Sequence, residues 1–192
     1  ALSTEKDTDR LFEMILEEAK NITRADGRTL YSMNENGDLQ FEIMRSDSMD
    51  IVMGGTSGKE IPYYPVKLWL DKQTPNRKNV SAYVALAQKT VNINDAYEEE
   101  GFDFEGTKNF DKKSGYRSKS FLTVPLKNHE NEIIGVMQLI NARDENGKVT
   151  SFNKEMQEQV ESLASQGAVA LTNKRLVEEL KTLFESFIKL IA

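Results

Sequence analysis

The chain has 192 residues with 25 lysines and arginines against 31 aspartates and glutamates, and its net charge of −6 excludes nucleic acid as the main partner, since phosphate binding needs a basic surface. It has no cysteine and a single histidine, His129, which excludes disulfides, thiolate catalysis, cysteine-ligated zinc, bilins attached through sulfur and histidine-rich metal sites; no haem is expected either. The length predicts one domain of ordinary size plus extra helix, and a hydrophobic content of 39% with a charged content of 29% is normal for a soluble globular protein.

In chain order, Leu11, Phe12, Ile15, Leu16, Ala19 and Ile22 recur at helical spacing, with Asp7 or Thr8 as the cap and Asp26-Gly27 as the stop. Residues 28–33 read as a strand. Asn34 to Asp38 is a hairpin turn, because Asn36-Gly37 supplies the positive φ values that a tight turn needs. Leu39 to Met44 alternates apolar and polar and is the return strand. Ser46 to Glu60 is polar and rich in glycine, and is expected to be loop. Ile61 to Asp71, with two prolines, is expected to be a short irregular strand. Ser81 to Gln88 reads as a short helix and Thr90 to Ile93 as a short strand. Tyr97 to Asp111 is expected to be loop with a helical turn near Gly106 to Phe110.

Residues 118–127 and 132–142 form two apolar strands around a turn at Asn128–Asn131. His129, in that turn, is expected to be solvated. From Asn153 onward one long helix is predicted, roughly 38 residues or ~57 Å. It bears two stripes. Met156, Val160, Leu163, Gly167 and Ala170 are expected to pack on the sheet. Val169, Asn173, Leu176, Leu180, Leu183, Phe187 and Leu190 step by four and three, the heptad seam of a coiled coil. The alternatives for that seam are a partner helix and the first helix of the same chain. The partner reading predicts a parallel homodimer through the N- and C-terminal helices. The longest apolar run, Ile133 to Ile140, is too short for a bilayer, which takes about 20 residues. With no signal peptide visible, the expectation is a cytoplasmic segment without membrane insertion.

The stretch Asn92-Ile93-Asn94-Asp95-Ala96-Tyr97 resembles the Asn-Ile-Pro-Asp-Ala-Tyr segment of GAF domains of the cyclic-nucleotide phosphodiesterase type. Phe110-Asp111 with Ser114-Gly115-Tyr116-Arg117-Ser118, then Val124-Pro125-Leu126 and Ile134 to Asn141, are similar to later motifs of that family. The resemblance covers about residues 8 to 175. It implies an α+β fold: a central antiparallel sheet of five to six strands, helices on one face, loops over a ligand pocket on the other, and a long C-terminal helix. The division expected is a sensor domain over 1–172 and a linker helix over 173–192. Asn141 and Phe152 match a further signature of the subfamily, but its Lys falls on Ala142 and its Asp-Glu pair on Met156 and Gln157. An apolar pair thus replaces the family's ion pair, which predicts weak or no binding of cyclic GMP. Leu183 to Ala192 resembles the lead-in helix of bacterial HD-GYP phosphohydrolases, implying an HD-type metal-dependent cyclic-dinucleotide phosphodiesterase downstream.

The pocket residues that the resemblance implies are Arg45, Ser46, Val80, Tyr83, Val84, Asp95, Tyr97, Phe110, Asp111, Tyr116 and Lys119. Aromatic rings suit a flat base, a carboxylate its polar edge, and a cation a phosphate. Each also has a bland reading: Tyr97 and Phe110 as plugs, Asp95 as a turn cap, Asp111 as part of a turn. No nucleophile–base pair is available, so the segment is not expected to be an enzyme. Two functions follow: a sensor of a small molecule, a nucleotide or similar, or a dimerisation module without ligand.

Overall fold

The computed structural model describes residues 2–192, with side chains described from Lys6. Helix α1 (Leu2–Thr23) precedes strands β1 (Gly27–Met33), β2 (Leu39–Ser46) and β3 (Ile51–Gly54). Helix α2 (Val80–Ala87), strand β4 (Val91–Ile93) and helix α3 (Glu105–Ser114) follow. The chain closes with β5 (Phe121–Lys127), β6 (Ile133–Ile140), a small ribbon of β7 (Ala142–Arg143) with β8 (Val149–Thr150), and helix α4 (Lys154–Ile191). The sheet is antiparallel with six strands in the order β3-β2-β1-β6-β5-β4, which puts β5 and β6 inside it. This is the α+β architecture expected.

Pleating divides the sheet into two faces. Leu30, Ile43, Leu122, Val124, Leu126, Met137 and Leu139 form one core with α1 and the first half of α4. Phe12, Ile15, Leu16 and Ala19 of α1 enter it beside Val160, Leu163, Ala164 and Leu171 of α4. Gly167 lets α4 approach closely: a Cβ there would stand 3.2 Å from Leu126 Cδ2. Tyr31, Leu39, Val80, Val84, Ile93, Phe104, Phe121 and Val136 form the second core, under α2 and the loops.

Several boundaries differ from the sequence reading. Helix α1 begins at Leu2, so neither Asp7 nor Thr8 caps it. It ends at Thr23 rather than at Asp26-Gly27, because Arg24 turns left-handed (φ 54°) and the Thr23 hydroxyl accepts from the Ala25 amide. Residues 51–54, expected to be loop, are strand β3, paired to β2. The prolines keep residues 61–71 from forming a strand, and only isolated bridges join Val66 to Leu39 and Trp69 to Pro75. The helical turn near Phe110 is a full helix, closed by Gly115 at φ 74°. The long helix starts where expected, with the Asn153 side chain accepting from the Met156 amide.

Candidate functional site

Register fixes which side chains share the loop-side face. Met53 pairs with Met44, Met44 with Thr29, Thr29 with Gln138 and Gln138 with Thr123. One row therefore crosses the sheet from β3 to β5, and α2 lies on its side, since the Ser81 hydroxyl donates to Gln138 Oε1 at 3.0 Å. Thr123 Oγ1 donates to the same oxygen at 3.1 Å. Tyr31 hydrogen-bonds Ser81 in turn, and burial pushes its phenol up to about 12. With its oxygen held twice, Gln138 has its amide nitrogen unengaged among the described residues. Near β4 and β5 this face is closed by rings: Tyr83 meets Phe102 edge-on at 5.0 Å, and Phe104 meets Phe121 at 5.4 Å. Toward β1–β3, Met44, Ile51, Met53, Gln138 and Ile140 stay partly accessible although they sit on strands.

A lid over residues 95–118 is tied by its own polar groups. Both oxygens of Asp95 accept from one nitrogen of Arg117, Nη2, at 2.7 and 2.9 Å, and Oδ1 also caps the Tyr97 amide. Burial pushes the Asp95 carboxyl up, but the Arg117 hydrogen bond and charge and the Tyr97 amide outweigh this and hold it below the usual range. The Arg117 guanidinium lies 3.5 Å from the Tyr97 ring centre. The Tyr97 hydroxyl donates to buried Asp111 at 2.8 Å, and Asp111 also accepts from the Ser118 amide at 2.7 Å and the Ser118 hydroxyl at 2.8 Å. Asn141 (φ 62°) sews the lid to the sheet end: its oxygen accepts from the Lys119 and Ser120 amides, and its nitrogen donates to Tyr116 Oη and to Arg117 O.

Beneath this, Asp26 is fully buried. It accepts from Ser48, Tyr116 and Ser46 and pairs with Arg143 at 2.6 Å. Burial pushes its carboxyl up; the bonds from Ser48 and Tyr116 and the Arg143 charge prevail and leave it below the ordinary value. Burial and this partner together push the Tyr116 phenol up.

The eleven residues singled out from sequence thus separate. Asp95, Tyr97, Asp111, Tyr116 and the Lys119 backbone come together in the lid. Val80 and Val84 are buried in the loop-side core, with Tyr83 half-buried beside them. Ser46 lies on the loop side at Asp26. Phe110 is exposed and plugs nothing. Arg45 requires a correction: it faces α1 and pairs with Glu13 at 3.0 Å. The cause is a β-bulge at Glu42, which lets two consecutive residues, Glu42 and Ile43, face the helices and turns Arg45 with them. Sequence reasoning missed Thr29, Ser81 and Gln138. A signal existed, since Gln138 is the one strongly polar residue in the apolar run Ile133–Ile140.

The model of the family described as GAF domain matches residues 7–171. The chain belongs to the GAF domain family. This GAF domain is 46% identical over 69 residues to the dual 3',5'-cyclic-AMP and -GMP phosphodiesterase 11A of Takifugu rubripes, a match over 36% of this chain and 7% of that protein. The GAF domain region of a putative membrane protein from Geobacter sulfurreducens PCA has the same fold (TM-score 0.63, 18% identity, 89% of this chain and 97% of that one). So does a GAF domain/HD domain protein from Geobacter sulfurreducens (TM-score 0.63, 13% identity, 92% and 99%). The curated relatives are far longer than the part matched. Among the described residues of this GAF domain, no helix is long and apolar enough to cross a membrane.

Proposed function

We propose that this GAF domain is a regulatory sensor, without catalytic chemistry of its own, whose ligand is a nucleotide or similar flat polar molecule on the loop-side sheet face. The observation that carries this is Gln138. It stands on an inner strand, its oxygen is locked by Ser81 and Thr123, and its unengaged amide donors lie in the same cross-sheet row as Thr29, Met44 and Met53, a face on which Met44, Met53 and Ile140 stay partly accessible. Few fixed polar groups over an apolar floor is the usual make-up of a ligand site. Tyr83 serves as wall, with Ser46, Val80 and Val84 buried behind the surface, and Asp95, Tyr97, Asp111, Tyr116 and Lys119 serve as lid, acting through the ties among them. The similarity to a cyclic-nucleotide phosphodiesterase supports the nucleotide class. The apolar pair Ala142 and Met156, where the subfamily has an ion pair, argues for weak cyclic GMP binding.

Residues 173–192 act as the linker to an output domain, of the HD phosphodiesterase type on the resemblance of Leu183 to Ala192. Two chains meet in parallel along Val169, Leu176, Leu180, Leu183, Phe187 and Leu190, which are all at least 52% exposed. Leu11 and Met14 of α1, also exposed, join them. A face of this kind calls for a partner. One observation favours the second reading, a dimerisation module without ligand: the lid carboxylates Asp95 and Asp111 already have their partners inside the chain. Native mass spectrometry and NMR titration with cyclic and linear nucleotides separate the two. The sensor reading expects saturable shifts at Thr29 and Gln138 that Gln138→Leu removes. A full nucleotide panel that leaves those signals unmoved establishes the dimerisation module instead.

A further inference from the structure

The opposite side of the sheet holds a second recess, separate from the proposed nucleotide site. It is a cleft of ≈ 280 Å³ between α1 and the β2–β3 segment, with Leu16, Ile43 and Val52 as its apolar wall. Arg28 and Arg45 are register partners on β1 and β2, so two guanidiniums stand side by side in it, and α1 adds Glu13 and Glu17.

Most of this charge is already engaged. Arg45 binds Glu13 and the carbonyls of Met44, Met53 and Gly54. Glu13 also takes the Thr56 amide at 2.7 Å and the Thr56 hydroxyl at 2.9 and 3.0 Å. Two groups remain. Arg28 is 4% exposed, and its terminal nitrogens reach Ala25 O, Asp26 O and Asp47. Its Nε is the one buried side-chain nitrogen or oxygen without a hydrogen-bond partner among the described residues. Among the described residues Glu17 meets only Lys20, at 3.9 Å. A buried donor left open carries its full desolvation cost and calls for an acceptor.

We propose that this cleft binds a small zwitterion of the α-amino-acid class, with its carboxylate on the Nε edge of Arg28, its ammonium on Glu17 and an aliphatic side chain against exposed Val52, above the buried Leu16 and Ile43. Charge decides the class. A plain anion satisfies Arg28 but faces Glu13 and Glu17 with nothing to offer them, and a plain cation meets the reverse problem. Size agrees: the cleft lies just below the roughly 300–1,000 Å³ of sites for drug-sized ligands. Occupancy would bear directly on α1, through Glu13, which ties that helix to the β2–β3 segment.

The test titrates the 192-residue chain by amide NMR with leucine and two matched probes, 4-methylpentanoate (carboxylate alone) and 3-methylbutylamine (ammonium alone). Leucine is expected to give saturable shifts around residues 13–17, 28, 45 and 52–57, and each half-probe to bind at least about tenfold more weakly, since each leaves one of the two open groups, Arg28 Nε or the Glu17 carboxylate, without a partner. Glu17→Gln, at an exposed position that keeps the fold, should weaken leucine about tenfold and leave 4-methylpentanoate no weaker, since it removes a like charge from the anion's surroundings. Val52→Trp, at the rim, should abolish binding by filling the cleft. No saturable shift in this region, or 4-methylpentanoate binding as tightly as leucine, or Glu17→Gln leaving leucine unaffected, overturns the proposal. Shifts confined to the Gln138 side also overturn it, while leaving the sensor reading intact.

Discussion

Replacing Asp26 by asparagine tests whether the network under the lid is held by charge. The two side chains are nearly the same size, so no cavity forms. What changes is that one acceptor oxygen remains for Ser48, Tyr116 and Ser46, an NH2 group now faces donors, and Arg143 loses its counter-charge. Removing one partner of a buried ion pair costs about 3–5 kcal/mol. Arg143 is 28% exposed and regains part of its hydration, which places the expected loss near about 3 kcal/mol. In a chain of 192 residues that is a fall in Tm of about 6–12 °C. The pH dependence separates charge from packing. The folded Asp26 carboxyl lies below its ordinary 3.8, so its contribution is complete above that value and is lost as pH falls through the lower folded one. Asp47 and Asp95, also held low, weaken both proteins in acid and cancel in the difference. Urea melts of the two proteins across this range should therefore converge in acid. A gap below about 0.5 kcal/mol at neutral pH, or one that stays constant as the carboxyl protonates, refutes the reasoning.

Three further outcomes are expected. Gly135→Ala should cost at least about 2 kcal/mol in urea melts, because its Cβ would fall 2.3 Å from the Tyr31 carbonyl oxygen and 2.8 Å from Leu171 Cδ1; an unchanged midpoint contradicts that crowding. Met156→Asp should be nearly neutral, within about 0.5 kcal/mol, since Met156 is only partly buried and lies in the first turn of α4, where the helix dipole favours an acid; a loss above about 1 kcal/mol contradicts it. Leu180→Glu with Leu183→Glu should give folded monomers by sedimentation, with the melt little changed, because both side chains are exposed within the single chain; an unmodified chain that is itself monomeric at high concentration removes the seam as an interface.

How far the sequence reached depends on the range of the interactions. Periodicity is local, and it was sufficient for α2, α4, the β1–β2 hairpin and the β5–β6 pair. Residues 51–54 could not be recognised as β3, because Ile51 to Gly54 have no pattern of their own and become a strand only through β2. Only one turn of helix α3 was legible, because its composition is polar, with Asp111 its one buried side chain.

By itself the sequence determined the family and the two stripes of α4, since both rest on residue types at fixed spacings. The tertiary structure decided the faces. One extra residue at the Glu42 bulge moved Arg45 from the expected pocket to the α1 side. Cross-strand register, which couples residues far apart in the chain, assembled Met44, Thr29, Gln138 and Thr123 into one row. It also set Arg28 beside Arg45, so a charge pair that no local pattern announces became the most distinctive feature of the opposite face.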